Sequence, residues 1–254
     1  MRSEVVVITG AENGIGLNMV KELLVRNYLV AALDLESRNL SSLQLSYPTS
    51  LRVHTCDVTD ELRVKEVIDT TASEWEKIDI LVNNACLALF GKFEDKNFRD
   101  TRREFEVNYF GCLHMIRAVL PYMHSAGQGV IHNVGSGVGI TGFPGVYGYA
   151  STKGAIEALT RTLAIELKPF GITVNLMHPN LTNTKSSAPL GLPAQVMDSP
   201  EHAGLALARK IGSKKAIITP DRKTGLGLFF SRHFPGSMGR ILASAAEKSR
   251  EAGR

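Results

Sequence analysis

This 254-residue chain holds three cysteines, Cys56, Cys86 and Cys112, none in a CxxC pair, which rules out a disulfide framework or a cysteine-based zinc module. Its seven histidines are scattered without metal-ligand spacing, so no metal is expected. No apolar run is long enough to span a bilayer. The first turn signal, at Thr9 and Gly10, directly follows the short apolar run of residues 5–8, which does not fit a signal peptide and makes a reducing cytoplasm the expected compartment. Low-complexity tracts, repeats and linkers are absent before about residue 185. Acidic residues are scarce at one end only: residues 209–254 carry 11 Lys or Arg against 3 Asp or Glu, whereas the overall net charge is +4. The basic character belongs to the tail, and nothing there resembles a nucleic-acid recognition module.

What is present is alternation. Short β-rich apolar runs at residues 5–9, 29–33, 51–56, 80–82, 130–134, 172–177 and 216–219 are separated by longer segments of helical period. Strands apolar on both faces and joined by helices imply a doubly wound α/β fold: a seven-stranded parallel sheet with helices on both sides. Residues 1–220 are expected to form this one domain, and 221–254 a basic, apolar arm. The helical segments 102–123 and 151–167 carry more apolar surface than one sheet face needs, which points to a homodimer or homotetramer.

TGAENGIG, residues 9–16, follows the first strand and opens a helix. Glycines allow a tight turn and close approach to a pyrophosphate, and the helix N-terminus offers unpaired N–H groups, although a plain strand-to-helix loop also favours glycine. Asp34 ends the second strand at the spacing from which a carboxylate accepts hydrogen bonds from the adenosine ribose. It would repel a 2′-phosphate, and Asn13 supplies no compensating cation, so NAD is favoured over NADP.

In YGYASTKGA, residues 147–155, Tyr149 and Lys153 fall within about 40° of one another on a helix, whereas Tyr147 is about 120° from Lys153. A close ammonium, helped by an oxidised nicotinamide, is expected to stabilise the phenolate, lower the Tyr149 pKa and make it an acid/base at neutral pH. An isolated YxxxK pair is usually an ordinary helix surface. Here it stands in order with TGAENGIG, NNAC at 83–86 and NVGS at 133–136, and this set resembles the short-chain dehydrogenase/reductase family over about seven tenths of the chain.

That resemblance implies a Rossmann fold and an oxidoreductase acting on a secondary alcohol or ketone. By it, Ser136 would bind the substrate oxygen and Tyr149 would be the acid/base. Lys153 would hold the nicotinamide ribose, and Asn108 a helix kink and a proton-relaying water. Gly10, Asn13, Gly14, Ile15 and Gly16 match its phosphate turn, Asp57 and Val58 its adenine contacts, and Asn84 its cofactor-side asparagine. Thr182 and Thr184, with Pro179 steering their loop, match the segment that meets the nicotinamide and phosphates. The family's NNAG and PG motifs become NNAC, ending at Cys86, and Pro179-Asn180 here. A non-catalytic dinucleotide sensor or scaffold is the alternative, but it has no need of Tyr149 and Lys153.

Leu87, Leu89, Phe90, Val138, Phe143, Val146 and the 186–196 loop are expected to surround the substrate, with Lys185 the one candidate for a carboxylate clamp. A neutral or amphipathic substrate follows. The tail places five large apolar residues, 226, 228, 229, 230 and 234, among basic ones. It is expected to pack near the substrate mouth, since Pro235 and the glycines at 225, 227, 236 and 239 break it; membrane contact is the less favoured reading.

Overall fold

A computed structural model describes residues 3–184, 186–190 and 197–252. Within these, the apolar runs become strands β1 (Val5–Thr9), β2 (Leu29–Asp34), β3 (Leu51–Thr55), β4 (Ile80–Asn83), β5 (Gly129–Val134), β6 (Ile172–Met177) and the short β7 (Ile217–Ile218). All pair in parallel, in the order β3-β2-β1-β4-β5-β6-β7. The chain winds outward from β1 through β2 and β3, then returns to lay β4 on the other side of β1. The crevice for a ligand opens where those two directions part, beyond the carboxyl ends of β1 and β4.

Every residue of β1 and β4 is buried, as a sheet covered on both faces requires. One face is covered by α3 (Glu61–Trp75), α5 (Gly111–Ala126) and α7 (Tyr147–Glu166), through Val64, Ile68, Met115, Val119 and Ile156. The other is covered by α1 (Gly14–Val25), α2 (Arg38–Ser46) and α8 (Pro200–Ala208), through Met19, Leu23, Leu40 and Leu207. Each such side chain contributes roughly 1.5 to 3 kcal/mol on burial. Helix α8 approaches α1 closely because Gly204 has no side chain; a Cβ there would meet Asn18 Cβ at 2.6 Å.

Helix α4 (Phe98–Phe105) runs into α5 through a π-helical turn, Glu106–Phe110. The short α6 (Val138–Thr141) precedes α7. The tail forms two helices, α9 (Arg222–His233) and α10 (Pro235–Ala252), folded back towards α6. Only the joint at Phe234 and Pro235 interrupts them. Contrary to the sequence expectation, Gly225, Gly227, Gly236 and Gly239 lie inside the helices, and Gly239 is a contact point: a Cβ there would sit 2.6 Å from Thr141 O. No described helix is long and apolar enough to cross a membrane.

Buried polar groups tie the sheet together. His132 on β5 pairs Nδ1 with Asn175 Oδ1 at 2.6 Å and accepts from Gly212 N through Nε2 at 3.1 Å, which defines a neutral ring carrying its proton on Nδ1. Burial lowers its pKa to about 4. His178, just beyond β6, is likewise held at about 4 by burial, with Arg232 and Lys153 adding to the effect. In the unfolded chain both return to about 6.5, so stability is complete above that pH and is lost as the unfolded state takes up protons between pH 6.5 and 4. Urea unfolding is expected to weaken by about 1.4 kcal/mol per pH unit for each of the two histidines. His132→Gln is expected to remove about half of that slope, and an unchanged slope contradicts the assignment.

Candidate functional site

The crevice is a cleft of about 1370 Å³ that runs from the β1–α1 turn across β4 and β5 to the tail helices. At its nucleotide end Gly10 takes φ +65°, and a Cβ on it would lie 2.7 Å from Ala85 Cα. Gly16 touches Gly10 O so closely that a Cβ would meet it at 2.1 Å. Asn84 locks this turn: Nδ2 donates to Thr9 O at 3.0 Å and Gly10 O at 2.9 Å, while Thr9 Oγ1 accepts from the amides of Asn84 and Ala85.

Asn13, Gly14, Ile15 and Gly16 line the cleft, and the Asn13 side chain makes no capping bond to α1. The first N–H groups of α1 are therefore free to receive an anion, and the turn fits the pyrophosphate of a dinucleotide. Asp34 stands at the far corner, its carboxylate accepting from Glu12 N at 2.9 Å and Leu35 N at 2.7 Å. Glu12, unremarked in the sequence reading, is 2% exposed and accepts from the amides of Asn39 and Leu40, so it caps α2 from a distance.

Asp57 and Val58 lie on the adjoining wall. Burial works against the charged form of Asp57, but bonds from Thr59 and the nearby Arg103 bring its pKa below the ordinary value. Pro179, Thr182 and Thr184 form the opposite lip. The Thr184 methyl lies 3.5 Å from where a Gly14 Cβ would stand, and Thr182 bridges to Asp198. Asp198 accepts from Asn180 and His202, which gives the Asn180 departure a structural partner. Lys185 and residues 191–196 lie outside the described residues.

At the other end Ser136, Tyr149 and Lys153 share the cleft wall. Tyr147 points elsewhere, its hydroxyl 2.8 Å from Thr101 Oγ1. Lys153 Nζ is 5.6 Å from the Tyr149 ring centroid and donates to Val134 O at 2.8 Å. The balance of the chain's own groups raises the Tyr149 pKa. Burial raises it, Cys86 and Glu104 add to the rise, and a hydrogen bond from Ser136 opposes it. The ammonium is turned to a carbonyl, and desolvation of the phenolate prevails.

Asn108 sits in the π-helical turn, 3% exposed, outside the large cleft. It accepts from Leu87 N at 2.6 Å, donates to Leu87 O at 2.8 Å and donates to Thr152 Oγ1 at 3.0 Å. Four residues earlier, on the same side of the helix, Glu104 accepts from Leu89 N at 2.8 Å and pairs with Lys96 at 2.5 Å. With alternate backbone groups held in this way, the extended segment presents Cys86, Ala88 and Phe90 to the cleft. Leu87 and Leu89 are not on its wall, contrary to expectation. The Glu104–Lys96 pair was missed in the sequence, because Lys96 lies before the helix that carries Glu104 and no helical spacing links them.

A family model described as short chain dehydrogenase matches residues 4–193. The chain belongs to the short-chain dehydrogenase family. Among curated relatives, the uncharacterised oxidoreductase YusZ of Bacillus subtilis is 36% identical over 189 residues, 72% of this chain and 67% of that protein. The 3-alpha-(or 20-beta)-hydroxysteroid dehydrogenase of Mycobacterium tuberculosis is 32% identical over 181 residues, 71% of this chain and 70% of that protein. The crystal structure of a short-chain dehydrogenase from Streptomyces avermitilis is 27% identical, with a TM-score of 0.80, and the match covers 98% of this chain and 99% of that one. The family consists of oxidoreductases built on this nucleotide-binding fold.

Glu104 and Lys96 have side chains 0% and 1% exposed. Removing one partner of such a pair strands the other charge, which costs about 3 to 5 kcal/mol, whereas replacing both with apolar groups costs far less. Glu104→Ala is expected to destabilise the protein by that amount and Glu104→Leu/Lys96→Met by less than half of it, measured by chemical denaturation. Equal losses in the two variants contradict the burial argument.

Proposed function

We propose that this protein interconverts a secondary alcohol and its ketone, using NAD in preference to NADP, with Ser136, Tyr149 and Lys153 as the reacting end of the cleft. The observation that carries this reading is the convergence of those three side chains on one wall, beside a turn shaped for a dinucleotide. When bound, a nicotinamide dinucleotide gives or takes the hydride at the substrate carbon.

Ser136 and Tyr149 face the same space, so a substrate oxygen can meet both hydroxyls. In reduction Tyr149 gives its phenol proton to the carbonyl oxygen, burial favouring the protonated form; in oxidation its phenolate, supported by the Lys153 ammonium and the positive charge of an oxidised nicotinamide, would take the proton from the hydroxyl. Lys153 holds a positive charge close by and, at the family's matching position, binds the nicotinamide ribose. Asn108 positions both sides of this arrangement through Leu87 and Thr152. A small cavity of about 10 Å³, lined by Asn108, Lys153 and Asn133, has room for one water beside Lys153.

Cofactor choice rests on Asp34, since no Lys or Arg among the described residues hydrogen-bonds to it. A 2′-phosphate beside that carboxylate is expected to cost at least about 1.4 kcal/mol, a tenfold preference for NAD. For the substrate, the cleft exceeds the roughly 300 to 1,000 Å³ of ordinary ligand pockets, which leaves room for a bulky molecule beside a dinucleotide. Its walls there are Phe90, Val138, Phe143, Val146, Leu228, Met238 and Leu242. This apolar lining and the steroid dehydrogenase relative both support a neutral, bulky alcohol or ketone. A homodimer or homotetramer is part of the reading, supported by Phe98, Phe110 and Ile165 left exposed on the helical surface. Sedimentation velocity showing only a 27.6 kDa species contradicts it.

The test is a panel of bulky secondary alcohols and ketones with each cofactor, followed at the absorbance of reduced nicotinamide. Turnover is expected with NAD and is expected to vanish in Tyr149→Phe, which keeps the fold. Asp34→Ala is expected to lose the preference for NAD. Full activity in Tyr149→Phe overturns the catalytic assignment, while tighter binding of NADP to the unaltered protein overturns the cofactor assignment. Dinucleotide binding without turnover anywhere in the panel favours a sensor.

A further inference from the structure

Helix α9 has two faces in different use. Thr224, Gly227, Leu228 and Ser231, spaced three or four residues apart, turn inward and line the cleft. Leu226, Phe229 and Phe230 fall on the other side and are 59%, 53% and 43% exposed. Phe229 packs against Phe230 and His233, at centroid separations of 5.7 and 4.1 Å, rather than against the body of the protein. Phe234 at the joint and Ile241 on α10 are also exposed, at 58% and 61%. The inner face already anchors the helix, so among the described residues the outer aromatic side chains meet no packing need.

Charge indicates what covers them. Between Arg222 and Ala246 the sequence holds no Asp or Glu; Arg222, one helical turn before Leu226, and Arg240, next to Ile241 on α10, are exposed, while Lys223 lines the cleft. Arg232 is separately engaged with Glu157 at 2.7 Å. A second copy placed on this face by a two-fold axis would set like charges against each other. An anionic lipid surface neutralises them and takes the aromatic side chains into its interface.

We propose that the outer face of α9, with the Phe234 joint and the start of α10, docks on an anionic lipid bilayer. This places the membrane beside the mouth of the cleft, on the far side of the helix that lines it. The docking does not depend on the reaction assigned to the cleft.

The purified full chain is sedimented with phosphatidylcholine vesicles with and without phosphatidylglycerol. Binding is expected only to the anionic vesicles, weakening as salt screens the charges. Phe229→Ser/Phe230→Ser is expected to lower the partition coefficient at least about tenfold, as expected for two aromatic side chains withdrawn from an apolar phase. Arg222→Gln/Arg240→Gln, a change of exposed charge alone, is expected to lower it while leaving the melting temperature in place. The proposal is overturned by absence of binding to anionic vesicles at low salt, or by undiminished binding in both variants. It is also overturned if the unaltered protein is an oligomer that Phe229→Ser/Phe230→Ser splits into smaller species, since a second copy then covers the face.

Discussion

The side chain of Asn108 closes two hydrogen bonds on the backbone of Leu87 and a third on Thr152, and the geometry of the cleft follows from that junction. It joins the end of β4, the π-helical turn and α7, three parts of the chain that meet only in the folded state. Fixing Leu87 sets the alternation that faces Cys86, Ala88 and Phe90 to the substrate space. Fixing Thr152 holds the turn of α7 that carries Tyr149 and Lys153. The amide spends all of its donors and one acceptor site internally, so its burial is compensated by bonds that also set the shape of the site.

A second constraint acts on the opposite side of the crevice. Thr9 and Asn84 tie the ends of β1 and β4 together, and the glycines at 10 and 16 let the chain pass where a Cβ would collide with backbone. The parallel sheet supplies the rest, because its carboxyl ends put the phosphate turn, the Ser136 loop and the start of α7 on one edge. Electrostatics then separates the two ends of the cleft: carboxylates at Asp34 and Glu12 in one corner, a lysine and a buried phenol in the other.

Much of this was legible in the sequence. Continuous apolar runs marked the central strands, such as β1 and β4, because a strand covered on both faces has no polar alternation to obscure it, while the edge strand β3 alternates Leu51, Arg52, Val53 and His54. Of the two tyrosines, the one at one-turn spacing from Lys153, Tyr149, is the one that lines the cleft. What escaped were interactions between residues far apart in the chain. Glu12 caps a helix whose first residue lies 26 positions later, and Glu104 pairs with Lys96 across a loop. The turn of Lys153 towards Val134 O depends on a strand that periodicity along α7 does not reveal, and the burial that raises the Tyr149 pKa is likewise a product of the folded chain. The tail was read as broken by glycine, yet packing on α6 favours helix there, and Gly239 permits the approach.

The central claim is that the cleft passes a hydride between nicotinamide and a carbon of the substrate, with Tyr149 handling the proton. The most direct measurement uses NADH deuterated at the transferable position of the nicotinamide ring, a ketone from the active panel, and mass spectrometry of the alcohol after a single turnover. The account predicts a product carrying the deuterium on its carbinol carbon in the unaltered protein and none formed by Tyr149→Phe. Product lacking the label, or labelled product formed at the same rate by Tyr149→Phe, contradicts it.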